Sequence, residues 1–342
     1  EELRQALMAL RRRGRKVVAY VHAAGSTSYY VALAADRIVL FPGGGLRVAG
    51  LKRTGLYFKG TLDRLGIRAQ IIKHAEYKSA PEAFTRKGPS PEAARMRDDV
   101  LDHFSLQFYR ALARRPKIRS VARARALLDK GPFTAGEALR HGLVDHLCYA
   151  DKLPWWLAKY LGRYYRIERP PKAPARDDAW GILPTVAVIA VEGDIVEGRS
   201  RTLPILDRRT AGAKSLVKLL ARAAAAPHVK AIVLRIESGG GSALASEVIW
   251  RAVTRVAKVK PVYASLGNVA ASGGYFIAAG AKKIFAQPLT ITGSIGIFSG
   301  KADLSGLLRK LGVSVHVAKR GLRADVDSLY RPYTAKERVV LK

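Results

Sequence analysis

Two stretches of this 342-residue chain carry side chains able to do acyl-transfer chemistry. In Asn268-Val-Ala-Ala-Ser272-Gly-Gly-Tyr275 a serine lies between a strand-like run, Pro261–Ser265, and an apolar segment, Tyr275–Ala279, that reads as a buried helix. A strand-to-helix turn is where a nucleophilic hydroxyl can be presented, and Gly273 and Gly274 would let a substrate backbone approach. A plain helix N-cap fits the same residues, since Ser is a favoured cap and Gly-Gly a common turn. A serine nucleophile also needs a base. His22, His74, His103, His141, His146, His228 and His316 have no partner pattern and read as surface or structural. Lysine can serve if burial lowers its pKa from about 10.4 towards about 7–8. Lys78, in Tyr77-Lys78-Ser79-Ala80-Pro81, follows an apolar strand beside an aromatic ring, although a solvated surface lysine is the ordinary alternative. The third requirement is a set of amides facing the developing oxyanion. Gly240 and Gly241, in the turn Glu237-Ser-Gly-Gly-Gly-Ser242, and Gly273 beside the serine are the candidates. A phosphate cradle is a weaker reading of that turn, which matches neither the P-loop nor the GxGxxG spacing.

The elements that must position these residues alternate between strand and helix. Lys16–Val21 reads as a buried strand, Tyr29–Ala35 as a helix, and Arg37–Phe41 as a strand closed by Pro42-Gly-Gly-Gly45. Leu56–Leu65 reads as helical and Ile67–Ile72 as a strand; the pattern from Ser90 to about Ala150 is mostly helical, with Ser90 a candidate cap. After a proline-rich, charged stretch, strands are expected at Thr185–Val191 and Ala231–Ile236, with helices over Ala211–Ala225 and from Ser242 to about Val256. The fold class is therefore α/β, with parallel sheets covered by helices on both faces. The halves repeat: Ala35-Asp-Arg-Ile-Val aligns with Ala281-Lys-Lys-Ile-Phe, and Leu65-Gly66 with Leu311-Gly312, at one offset of 246 residues. At that offset Ser272 falls on Ser26 and Lys78 on Ala324, so one copy keeps the serine and the other the lysine. The expected domains are a first repeat with a helical extension over 1–165, a linker over 166–184, and a second repeat over 185–342. The opening strands of the first repeat are expected to be missing.

Composition narrows the partners. Sixty Lys and Arg against 27 Asp and Glu give a formal charge of +33, which points to an anionic membrane surface. The basic residues are dispersed and accompany no nucleic-acid-binding motif, so nucleic acid is not an expected partner. A single cysteine, Cys148, rules out an intramolecular disulfide framework and a cysteine metal cluster; no metal or cofactor is expected. No apolar run is long enough to span a bilayer, and a membrane anchor is expected outside this sequence.

The motifs together resemble the long, duplicated form of the signal peptide peptidase A (protease IV) family, serine–lysine peptidases of the ClpP/crotonase superfamily. The resemblance rests on Tyr77-Lys-Ser-Ala-Pro-Glu-Ala-Phe-Thr-Arg86, Ile236-Glu-Ser-Gly-Gly-Gly-Ser242, Asn268–Tyr275 and Thr292-Gly-Ser-Ile-Gly-Ile-Phe298. Thr134-Ala-Gly-Glu-Ala-Leu-Arg-His-Gly-Leu-Val-Asp145 adds to it. It implies two tandem ClpP/crotonase-like repeats, Ser272 as nucleophile, Lys78 as general base and acid, and the amides of Gly240, Gly241 and Gly273 as oxyanion donors. It further implies a homo-oligomer, by resemblance a tetramer, at the bacterial inner membrane with its catalytic part facing the periplasm. Its substrates would be cleaved signal peptides and other extended apolar peptides. Glu237 and Gly239 stand where the family has Asn and Pro, which would loosen the loop and bring a carboxylate near the oxyanion. A non-catalytic peptide-binding scaffold of the same fold is the alternative, and a crotonase-type acyl-CoA enzyme ranks behind both.

Overall fold

The computed structural model describes residues 1–74, 76–164, 183–203 and 208–341. The stretch expected as a linker over 166–184 lies, up to residue 182, outside the described residues. The chain forms two compact units, residues 1–53 with 97–179, and 54–96 with 180–342. The segment carrying Lys78 thus falls in the same unit as Ser272, although the sequence repeat assigns it to the first half.

In the first unit, β1 (Val18–Gly25) leads through α1 (Ser26–Ala32) to β2 (Arg37–Arg47), which runs parallel to β1. The glycines after Pro42 do not end β2. The register shifts between Val21 and Ala23, and β2 resumes with Gly45 opposite Ala23. A Cβ at Gly44 would fall 1.7 Å from the His22 carbonyl oxygen, so glycine lets the strand pass the bulge. Helices at Pro91–Leu112, Val121–Leu128 and Ala135–Arg140 fill the expected helical region. Phe108, Leu112, Leu128 and Leu143 close its core over Ile38 and Leu40.

The second unit holds α2 (Lys59–Leu65), β3 (Arg68–Lys73), β4 (Thr185–Glu192), α3 (Ala213–Ala225), β5 (Val229–Ser238), α4 (Ala243–Val256), β6 (Val262–Ala271) and α5 (Gly273–Ala278). After them come β7 (Lys283–Phe285), β8 (Ile291–Gly293), β9 (Phe298–Asp303) and α6 (Ser305–Lys310). The parallel sheet has the order β7-β6-β5-β4, with β8 beside the end of β6. Period-two alternation decides its faces. Ile232, Leu234 and Ile236 of β5 are buried with Val262 and Ala264 of β6 among apolar residues of α3 and α4. Among the described residues the other face is left open at β4, where Val186 and Val188 are 56% and 68% exposed. Leu234 is 1% exposed, so Leu234→Ala should cost about 2–5 kcal/mol in urea unfolding through lost burial plus a cavity.

The helix expected from Leu56 begins only at Lys59; residues 51–58 have no regular secondary structure. β9 pairs antiparallel with β3, from Phe298 opposite Lys73 to Asp303 opposite Arg68. The His74 amide extends that ladder by donating to the Ile297 carbonyl at 3.2 Å. This ladder runs up to the two segments that meet in the site, the turn after β3 and the loop before β9.

Candidate active site

Ser272 sits at the end of β6 as the residue before α5, with φ 52° and ψ −118°. Its side chain makes no capping hydrogen bond, so the N-cap reading does not hold. Positive φ is costly for a residue with a Cβ and is kept only where the surroundings impose it. Here the Ser272 amide donates to the Gly293 carbonyl at 2.8 Å, anchoring the turn to β8. Gly273 and Gly274 are needed for packing rather than for substrate approach. A Cβ would lie 2.3 Å from Ser246 Oγ at the first and 2.8 Å from the Ser238 carbonyl oxygen at the second. Both glycines therefore let α5 press onto α4 and β5.

Lys78 is 4% exposed. Its Nζ donates to Ser272 Oγ at 3.1 Å, to the Ser294 carbonyl at 2.6 Å and to Ser294 Oγ at 3.2 Å. Desolvation by burial lowers its pKa from the usual lysine value. The ring of Tyr77, beside Lys78 in sequence, is 52% exposed; it is the Ser294 turn that bonds the amine. Lys78 forms no ion pair among the described residues. The nearest motif carboxylate, Glu82, is drawn elsewhere: it accepts from the Ser90 amide at 2.9 Å and the Ser90 hydroxyl at 2.8 Å, and lies 3.6 Å from Lys73 Nζ. Burial alone would push the Glu82 carboxyl up, but those hydrogen bonds and Lys73 hold it below its ordinary pKa. The Ser90 hydroxyl also accepts from the Ala93 amide at 3.2 Å, so it caps the following helix as its sequence suggested. Ser294, with φ 48°, is a site residue that sequence reasoning did not single out. Its signal was its place in Thr292-Gly-Ser-Ile-Gly, where a small hydroxyl sits between two glycines.

The glycine-rich turn after β5 packs directly on the serine. Gly240 has φ 108°, and a Cβ there would lie 2.7 Å from the Ser272 Cβ. The Gly240 amide donates to Ser238 Oγ at 3.1 Å. Gly241 and Gly273 line a cavity of about 590 Å³ together with Ser272 and Lys78, and neither amide is engaged in a hydrogen bond among the described residues. Phe276, Ile295 and Ile297 give the same cavity an apolar wall, and no histidine lines it.

Glu237 does not aim at this cavity. Its carboxylate accepts from the Asn268 amide at 2.7 Å and the Val269 amide at 3.1 Å. Those amides lie where the β5–β6 register shifts between Ile236 and Ser238, so the acid satisfies donors that the bulge leaves unpaired. Glu237→Ala should therefore cost about 1.5–3 kcal/mol in denaturant unfolding, the usual scale for hydrogen bonds to a charged group. Gly239 is exposed, has open space around it and no left-handed φ. Gly239→Ala should be stabilising by about 0.4–1 kcal/mol through a less flexible unfolded chain, read as a raised urea midpoint.

A parallel α/β sheet that ends one strand in a strained serine, with a buried lysine on its hydroxyl, defines a hydrolase-type site. The chain belongs to Peptidase family S49, whose model matches residues 9–162 and 254–342. It is 34% identical to Protease 4 of Haemophilus influenzae over 88% of this chain and 50% of that protein. It is 28% identical to the chloroplastic serine protease SPPA of Arabidopsis thaliana, over 95% of this chain and 49% of that protein. Among solved structures, a ClpP1 variant of Listeria monocytogenes aligns at 19% identity and TM-score 0.20, over 28% of this chain and 46% of that one. The chain spans about half the length of the relatives that it matches. No described helix is long and apolar enough to cross a membrane.

Proposed function

We propose that this chain is a serine peptidase working through a Ser272–Lys78 dyad on extended, largely apolar peptides. The observation that carries the reading is the 3.1 Å contact between the buried Lys78 amine and the Ser272 hydroxyl. Once neutral, the amine has two N–H groups and one lone pair. The Ser294 carbonyl and hydroxyl can take the two hydrogens, which turns the lone pair towards Ser272 Oγ. Lys78 then accepts the serine proton as Oγ attacks the scissile carbonyl, and returns it to the leaving amine. The free amides of Gly241 and Gly273 are the donors available to the tetrahedral oxyanion. Gly240, whose amide is bound to Ser238, acts by letting the loop close on the serine. The apolar wall favours uncharged side chains, in keeping with cleaved signal peptides as substrates. Within the whole protein we place this activity in a homo-oligomer at the bacterial inner membrane, facing the periplasm, with the excess positive charge towards anionic lipid. Labelling by a phosphonylating serine probe tests the dyad. Modification should map to Ser272 and be lost in Lys78→Ala. An unlabelled but folded wild type would rule it out.

A further inference from the structure

Lys78 is carried on a turn that leaves β3 at Lys73, opposite Phe298 in the β3–β9 ladder, and returns at the short helix Glu82–Thr85. Its outer residues His74, Glu76 and Tyr77 are exposed, and Lys78 is buried. Inside the turn the Ser79 amide donates to the Tyr77 carbonyl at 2.9 Å and the Glu82 amide to the Ser79 carbonyl at 3.0 Å. Such short-range bonds shape a turn but do not decide where it stands. A buried carboxylate at its base does. Glu82 is 3% exposed. One of its oxygens accepts from the Ser90 amide at 2.9 Å; the other accepts from the Ser90 hydroxyl at 2.8 Å and lies 3.6 Å from Lys73 Nζ. Lys73 also donates to the Glu76 carbonyl at 3.0 Å. Both legs of the turn and its head are thus gathered on one ion pair, whose far side is the capped start of the helix Pro91–Leu112.

We propose that Glu82 is a positioning residue for the reaction: it closes the base of the lysine turn and so holds the Lys78 amine against Ser272 and away from water. The inference rests on the Ser272–Lys78 dyad. A buried carboxylate is costly unless it is paired and hydrogen-bonded, and an apolar side chain could fill the same space without bonding directionally to both Ser90 and Lys73. The direction of its charge matters as well. A carboxylate facing Lys78 would favour the protonated amine and undo the effect of desolvation. Glu82 instead meets Lys73 and Ser90, while the Lys78 amine meets only serine groups, Ser272 Oγ and the carbonyl and hydroxyl of Ser294, among its hydrogen bonds in the described residues. Removing the carboxylate therefore has two consequences for one amine. Its distance from Ser272 Oγ becomes variable, and water reaches it. The apolar wall of Phe276, Ile295 and Ile297 is left as it was.

Initial-rate kinetics across pH on the full chain test it, using variants whose circular dichroism matches wild type. Glu82→Ala should lower kcat by about 10–100-fold, the usual effect of a small misplacement of a catalytic group, with KM little changed. It should also move the midpoint of the ascending kcat/KM limb upwards, towards the ordinary lysine value of about 10.4. The Phe58 amide still donates to the Ala83 carbonyl at 2.6 Å, so the short helix keeps one anchor in this variant. Glu82→Gln, whose carboxamide can accept from the Ser90 amide and donate to the Ser90 hydroxyl, should recover most of the lost kcat and bring the limb back. Ser90→Ala removes a single tie and carries the test if Glu82→Ala does not fold; it should lower kcat severalfold and move the limb the same way. A merely structural Glu82 would lower the urea midpoint and leave the limb in place. A folded Glu82→Ala or Ser90→Ala with the wild-type limb would overturn the inference, as would a loss carried mainly by KM. If that limb is lost in Lys78→Ala yet unmoved in Glu82→Ala, this inference fails alone. A limb that persists in Lys78→Ala would overturn the dyad, and this inference with it.

Discussion

Ser272→Ala should reduce hydrolysis of a fluorogenic apolar peptide to background, and Lys78→Ala should lower kcat by about 10²–10⁴-fold, the usual worth of a positioned general base. The asymmetry follows from the geometry. Without Oγ there is no nucleophile near the glycine amides. Without the amine the hydroxyl remains in place, held at φ 52° by the bond from its amide to Gly293, but its proton has no acceptor in a cavity free of histidine. KM should change little in both variants, because neither side chain forms the apolar wall of Phe276, Ile295 and Ile297. The measurement is initial-rate kinetics on variants whose circular dichroism and urea midpoints establish folding. A folded Lys78→Ala within tenfold of wild type would rule the lysine out as base. A fall in kcat/KM carried mainly by KM would instead make Lys78 a substrate-binding group.

How far the sequence reached can be judged residue by residue. The strand-then-helix alternation and the two catalytic candidates were legible because burial patterning and rare local motifs are written in adjacent residues. The meeting of Lys78 with Ser272 was only hinted at by the complementary loss in the two repeats, since contact across nearly two hundred residues depends on the β3–β9 ladder. Four details escaped for physical reasons. Glu237 was expected near the oxyanion, but a bulge in β6 offers it two unpaired amides, and nothing in the sequence marks a bulge. Gly273 and Gly274 looked like room for a substrate, whereas helix packing consumes that room. The Pro42 glycines signalled a strand end and instead form a bulge in β2 itself, which runs from Leu40 to Gly45 while β1 runs only from Val21 to Ala23. Ser294 lay within a quoted motif, but its role needs the position of the lysine Nζ.

The lowered pKa of Lys78 ties activity to stability with a definite sign. Only the neutral amine can accept the serine proton, so kcat/KM should rise with pH along a single ascending limb whose midpoint lies below the ordinary lysine value of about 10.4. The cause is desolvation with no carboxylate to offset it. A group whose pKa is lower in the folded state than in the unfolded chain binds fewer protons when folded. The stability it allows is complete above about 10.4 and is lost as pH falls towards the depressed value, levelling off below it. Lys78→Met keeps the bulk and removes the titration. Its urea midpoint relative to wild type should therefore be most favourable near neutral pH, and that advantage should shrink steadily as pH rises towards about 10.4. Any constant loss from the hydrogen bonds to Ser294 shifts the whole curve without bending it, so the slope isolates the buried amine. A difference independent of pH from 6 to 10 would mean that Lys78 titrates alike in both states. The rate limb would then have to come from another group. A difference that closes over the same pH range in which the rate rises would assign both effects to one proton on Lys78.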